Sequence, residues 1–287
     1  MYCIYTDAEV DEANGNLDHI IPLSLGGKNG FCVWSDANFN SVIGSKVDGA
    51  VANDSLIMLA RRDADARGHS GTEPVPVWRK SILEGRPVQV SFGDEIKVWD
   101  ARAKSYLDPK DFLDKPLESR WIYNPFARSR FTAKVALGAG YFVFGESFRA
   151  AADCGELRKM LTADLATFQT SLVANDPVLK GRWPLGDIPG SRMMCEFQGR
   201  TTVIVLPMAT GIAFHLGVLG MYVGSIFCPG DVAKLSPEDG EVIVLGPSDM
   251  ERKSLQEFGL QFQEFWEEHK QAYSPSTPPP DDGSVEQ

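Results

Sequence analysis

The sequence predicts an α+β protein, and three observations carry that expectation. Val88–Trp99, VQVSFGDEIKVW, alternates in two runs joined by Gly93-Asp94, the pattern of a β-hairpin. Apolar residues recur at helical spacing through Val42, Ile43, Val47 and Val51, and again through Leu255, Phe258, Phe262 and Phe265. Thr202–Cys228 is rich in Val, Ile and Gly and holds no formally charged residue. That stretch is long enough to span a bilayer, but Pro207, its glycines and His215 interrupt it and no basic flank orients it. It therefore reads as buried strands, and no membrane partner is expected.

In chain order, Tyr2–Thr6 is aromatic and β-favouring, and a polar loop with Asn14-Gly15 leads from it into Leu17–Ile21 as a hairpin arm. A helix is expected from Asn40 or Ser41 to about Val51, with Asn40 as its N-cap. A second runs from about Ser55 to Arg67, capped by Asp54, with Leu56, Leu59 and Ala60 on one face. Gly68–Pro76 breaks the pattern. After the hairpin, residues 100–130 are loop-like, with prolines at 109, 116 and 125 and a cluster of Arg120, Arg128 and Arg130. Phe131–Asp153 begins a second region with a helix that is apolar nearly all round from Val135 to Phe144, hence buried. Gly155–Leu172 reads as an amphipathic helix, and Met193–Phe197, Thr201–Phe214, Leu216–Cys228 and Glu241–Leu245 read as strands. A long helix follows over about Ser248–Tyr273, its aromatic stripe belonging to the core. The tail SPSTPPPDDGSVEQ is Pro-rich and acidic, a composition that does not fold alone. The expected division is 1–100, 101–130 as a connection, 131–273 as an α+β partner or sensor domain, and 274–287 as a disordered tail.

The chain carries 39 acidic and 28 basic residues, a net charge of −11. Duplex affinity comes mainly from Lys and Arg at phosphates, so any nucleic-acid surface must be a local basic patch. Five scattered cysteines, never in a CxxC pair, favour reduced thiols and a cytoplasmic setting. The acidic N-terminus shows no signal-peptide pattern.

The most informative stretch is Leu17–Asn29, LDHIIPLSLGGKN, followed by Asp36-Ala37-Asn38-Phe39-Asn40 and, on the next helix, Asp48. This resembles the HNH endonucleases, whose ββα-metal site has a DHIxPxSxGG segment, a central Asn and a third polar residue on the helix. The resemblance covers roughly residues 1–70. It implies an N-terminal ββα-metal module followed by a mixed α+β domain, and a metal-dependent endonuclease that hydrolyses phosphodiester bonds, in DNA rather than RNA. His19 matches the general base, Asp18 a metal ligand, and Asn40 the Asn that ties the His-bearing loop to the helix; Asn38 is its competitor for that role. Asp48 stands where relatives carry the final His or Asn at the metal. Two carboxylates without thiolates favour Mg²⁺ or Mn²⁺.

Many relatives hold a structural zinc through two CxxC pairs. Here Thr6, Asp36 and Phe39 stand at three of those positions and only Cys3 remains, so zinc is not expected. Packing of Tyr2, Ile4, Phe31 and Trp34 takes over its task. Phosphate contacts are expected from Arg61, Arg62 and Arg67, with Lys28 and Lys46 nearby. His69, His215 and His269 read as structural residues. The second half could dimerise the nuclease or bind a regulatory partner, an arrangement common among bacterial defence effectors. The rival reading is an HNH scaffold that binds nucleic acid or regulates without cutting.

Overall fold

The computed structural model describes residues 1–119, 121, 123–166, 189–236 and 239–273. The tail 274–287, Arg120 and residues 167–172 of the helix expected over Gly155–Leu172 lie outside the described residues; that helix ends at Thr162, ten residues earlier than expected.

The chain opens with two short strands, β1 (Tyr2–Cys3) and β2 (Ala8–Glu9), that pair with each other. The first aromatic run therefore closes on its own loop instead of on Leu17–Ile21. The hairpin proper is β3 (Gly15–His19) against β4 (Cys32–Asp36), with Asp18 opposite Val33 and His19 opposite Cys32. Helix α1 (Ala37–Ile43) follows β4 directly, runs through a π-helical turn at Gly44–Asp48 and continues as α2 (Gly49–Ala52). Its N-cap is Asp36, whose carboxylate accepts from Phe39 N at 2.8 Å, four residues ahead of the expected Asn40. Asp36 wins because it ends β4 in an extended conformation, leaving its carboxylate beside the exposed amides. Helix α3 (Ser55–Asp63) is capped by Asp54, as expected, and stops four residues before Arg67. Tyr2, Ile4 and Phe31 are buried, and Trp34 packs against the same cluster.

A five-stranded antiparallel sheet comes next: β5 (Val77–Leu83), β6 (Arg86–Phe92), β7 (Ile96–Asp100), β8 (Ser105–Tyr106) and β9 (Leu117–Ser119). Its order is β8-β7-β6-β5-β9, and the expected hairpin is β6–β7. The sheet has a small core of its own, Leu83, Val88, Val90, Val98 and Phe112. It thus extends past residue 100 into the segment expected to be a connecting loop.

The second half is built on α4 (Pro125–Phe144), followed by α5 (Glu146–Ala151), α6 (Cys154–Thr162) and α7 (Pro189–Glu196). Helix α7 covers most of the strand expected at Met193–Phe197. Five residues are too few to reveal a period; Ser191 and Cys195, one turn apart, are the buried face. Strands β10 (Thr201–Met208), β11 (Gly211–Val218) and β12 (Met221–Pro229) form a meander where two runs were expected. The sheet is completed by β13 (Glu241–Leu245) and β14 (Met250–Ser254), in the order β12-β11-β10-β13-β14. Helix α8 (Leu255–Tyr273) therefore starts later than expected, because MERKS first pairs with β13. Among the described residues no helix is long and apolar enough to cross a membrane.

One apolar cluster joins the N-terminal hairpin and helices to α4, α5, α6 and the β10–β12 meander. Helix α4 is its axis. Gly138 permits the approach of the N-terminal module: a Cβ there would lie 2.8 Å from the Tyr5 hydroxyl and 2.9 Å from Ile20. Buried Arg128 on α4 makes a two-pronged bond to Asp54, at 2.9 and 3.0 Å, so the cap of α3 is also an anchor of α4. Asp54→Ala should cost about 3–5 kcal/mol in urea unfolding, because it removes a cap and strands a buried guanidinium.

A second buried polar group lies within the sheet. His215 on β11 pairs through Nδ1 with Ser225 Oγ on β12 at 2.7 Å, and the Tyr222 hydroxyl meets the same Oγ at 2.8 Å. Burial pushes His215 down to about 4 from its ordinary 6.5. A depressed folded value means the unfolded chain takes up the proton first. The associated stability is present above about pH 6.5 and is lost as pH falls through 4. Relative to His215→Gln, wild type should lose about 3 kcal/mol between pH 7 and pH 4, at 1.36 kcal/mol per unit, when unfolding is measured at both.

Candidate functional site

The segment Leu17–Asn29 forms one wall of an open cleft of about 460 Å³, lined by Asn16, Asp18, His19, Pro22, Ser24, Asn40, Asp48, Gly68 and His69 among others. Adjacent residues on a strand face opposite ways. Asp18 is buried and His19 half-buried, and both reach the cleft because β3 ends at His19. Pro22 starts a 3₁₀ turn, Leu23–Leu25, closed by Gly26 in a left-handed conformation at φ 83°. At Gly27 a Cβ would sit 1.7 Å from Ile21 O, so the second glycine is a matter of space. The turn is then braced from three directions. Arg61 Nε on α3 donates to Ser24 O at 2.8 Å, Thr201 Oγ1 on β10 donates to Leu25 O at 2.9 Å, and Lys28 donates to Pro247 O.

His19 Nε2 lies 2.9 Å from Asn29 Oδ1. With the amide oxygen facing the ring, the neutral imidazole carries its hydrogen on Nε2 and keeps the lone pair on Nδ1. The ring of His69 stands edge-on to it, with centroids 5.6 Å apart. Nothing in the local pattern signals this pairing, since His69 lies in an irregular loop fifty residues away. Asn40 Nδ2 donates to Asn16 Oδ1 at 3.0 Å and so ties the helix to the His-bearing strand.

Asp18 and Asp48 come together, as the sequence pattern anticipates, but around a third residue. Lys134 of α4, 1% exposed at its side chain, places Nζ 2.8 Å from Asp48 Oδ2, 3.2 Å from Asp18 Oδ2 and 3.2 Å from His19 O. Burial alone would lower the Lys134 pKa; the charges of Asp48 and Asp18 outweigh it and hold the ammonium above its ordinary value. Burial pushes Asp48 up to about 6 against the opposing pull of Lys134. The neighbouring Tyr5 hydroxyl is raised by burial first and by the Asp18 charge second. Lys134 escaped sequence reasoning because it lies 116 residues from Asp18 at the start of an apolar run.

The donor chemistry still suits a hard divalent ion. Asp48 Oδ1 and Asp18 Oδ2 are buried without a hydrogen-bond partner among the described residues, although Lys134 stands close to the latter. Each carboxylate thus retains an oxygen with coordinating capacity. Among the described residues, no group of three or more His, Cys, Asp and Glu is arranged as a metal site.

The expected phosphate contacts are differently employed. Arg61 also donates to Ala52 O, and burial lowers its pKa. Arg62 donates to Gly93 O at 2.9 Å, and Arg67 pairs with Asp65 at 2.8 Å. The arginines spend their donors on the fold because the loops around the cleft leave backbone carbonyls without ladder partners. Lys46 has neither a hydrogen bond nor an ion pair among the described residues.

Comparison with known proteins found no matching family model, no matching curated protein and no matching solved structure.

Removing the charge of Lys134 while keeping its bulk, as in Lys134→Met, strands two buried carboxylates. The expected loss is about 3–5 kcal/mol in metal-free urea unfolding at pH 8.

Proposed function

We propose that the chain is an HNH-type endonuclease acting on nucleic acid, with DNA as the first substrate to test and the cleft beneath β3 as its cleavage site. The observation that supports this best is the placement of His19. His19 ends β3, the first strand of a β-hairpin whose second strand leads straight into a helix; its imidazole is oriented by Asn29 and lines an open cleft together with Asp18 and Asp48. A neutral imidazole with a free Nδ1 can take the proton from water as its oxygen attacks phosphorus. The P–O3′ bond breaks, and the leaving oxygen departs with the bonding electrons. Asn29 keeps the ring in one tautomer, and Asn40 holds the strand against the helix so that the base does not drift. A Mg²⁺ or Mn²⁺ ion held by Asp18 and Asp48 would supply neutralisation of the scissile phosphate and the leaving oxygen.

Plasmid nicking in Mg²⁺ or Mn²⁺ should fall by about 10²–10⁴-fold in His19→Ala, the usual contribution of a general base, and should stop with chelator. Equal nicking by both proteins, or nicking indifferent to chelator, would overturn the proposal. The second reading, a scaffold that binds or regulates without cutting, is favoured by one observation: the ammonium of Lys134 already compensates the two carboxylates. That reading expects no nicking in any metal.

A further inference from the structure

We infer that Lys134 is a built-in competitor for a divalent cation at Asp18 and Asp48, so that the second half of the chain sets how readily the site accepts metal. The inference rests on the endonuclease reading of the cleft, and its test is separate from activity.

Two carboxylates with buried oxygens need a positive partner, because a lone buried charge is costly. Lys134 is that partner, delivered from α4 at 2.8 and 3.2 Å. It also donates to His19 O at 3.2 Å, so the ammonium bonds the same strand that carries the base. A cation entering among these oxygens meets the ammonium at short range in a region of weak screening, where like charges repel most strongly. It must therefore displace Lys134 or bind against it, and either route weakens binding.

The competitor is well anchored. Helix α4 is buried along most of its length, and Arg128, under two turns before Lys134, is fixed to Asp54. Lys134 thus cannot leave by movement of a loose element; its chain must swing within a fixed backbone, or α4 must shift. The position of α4 becomes the quantity to which metal affinity is coupled.

The experiment is Mn²⁺ titration of the full chain, without nucleic acid, followed by the electron paramagnetic signal of free Mn²⁺. Wild type, Lys134→Met and the double variant Lys134→Met/Asp48→Asn are compared. Lys134→Met should bind one Mn²⁺ at least about 10-fold more tightly than wild type, and Asp48→Asn should abolish the gain. Folded Lys134→Met that binds no more tightly than wild type overturns the inference. Should Lys134→Met be unfolded in metal-free buffer, Mn²⁺ should restore the folded circular-dichroism spectrum, because a divalent ion replaces the lost charge. Failure of Mn²⁺ to do so equally overturns the inference. Chelator-resistant nicking by wild type would instead remove the endonuclease reading, a distinguishable result.

Discussion

The contact on which the rest of the structure depends is the ion triad of Lys134 with Asp18 and Asp48. Each member is almost completely removed from water, and each would be expensive there alone. The three come from three elements: β3, the π-helical turn after α1, and α4. Their mutual need fixes the relative position of those elements more narrowly than apolar packing could, because packing is non-directional and a short ammonium–carboxylate contact is not. The π-helical turn belongs to the same constraint. Its extra residue offsets the helix at Asp48, and departures of this kind recur where a side chain must be aimed.

The triad also accounts for the organisation of the chain. An isolated hairpin and two helices of about seventy residues would bury little apolar surface. Stability comes instead from sharing a core with α4 and the β10–β12 meander. Thr201 grips the motif turn from β10, and Arg158 of α6 holds Ile4 O at 2.9 Å and Asp7 at 2.9 Å. The second half is therefore a structural part of the cleft. The β5–β9 sheet, with a core of its own, is the portion that stands apart.

What the sequence made legible was whatever local chemistry enforces. Gly26 and Gly27, the cap at Asp54 and the β6–β7 hairpin follow from residues near one another in the chain, whereas the convergence of Asp18, His19, Asn40 and Asp48 was expected from the motif resemblance alone. What it hid were long-range partners. Lys134 reads as the edge of an apolar run, and its meaning depends on two carboxylates more than eighty residues away. His69 reads as loop filler until the fold sets its ring beside His19. The error at Met193–Phe197 has the same root, since a short apolar run fits a strand or a helix and only its neighbours decide. Gly217, where a Cβ would come within 2.7 Å of Cys195 O, is such a neighbour.

The arginines near the cleft carry the argument one step further. Arg61, Arg62 and Arg67 look from the sequence like a phosphate-binding face, yet each bonds a backbone carbonyl or an adjacent carboxylate. In an acidic chain this is physically consistent. A guanidinium has five donors, and one committed to a buried carbonyl braces a loop while losing much of its freedom to track a phosphate. The cations around the site therefore organise it from behind: Arg61 under the motif turn, Lys28 from the turn's end to Pro247 O, and Lys134 between the carboxylates. Positive charge is spent on holding the cleft in shape, and its open lining is left to His19, His69 and Asn40 among others. Any hold on a phosphodiester must then come from few contacts, so specificity for the site would rest on the fit of the cleft more than on long-range attraction.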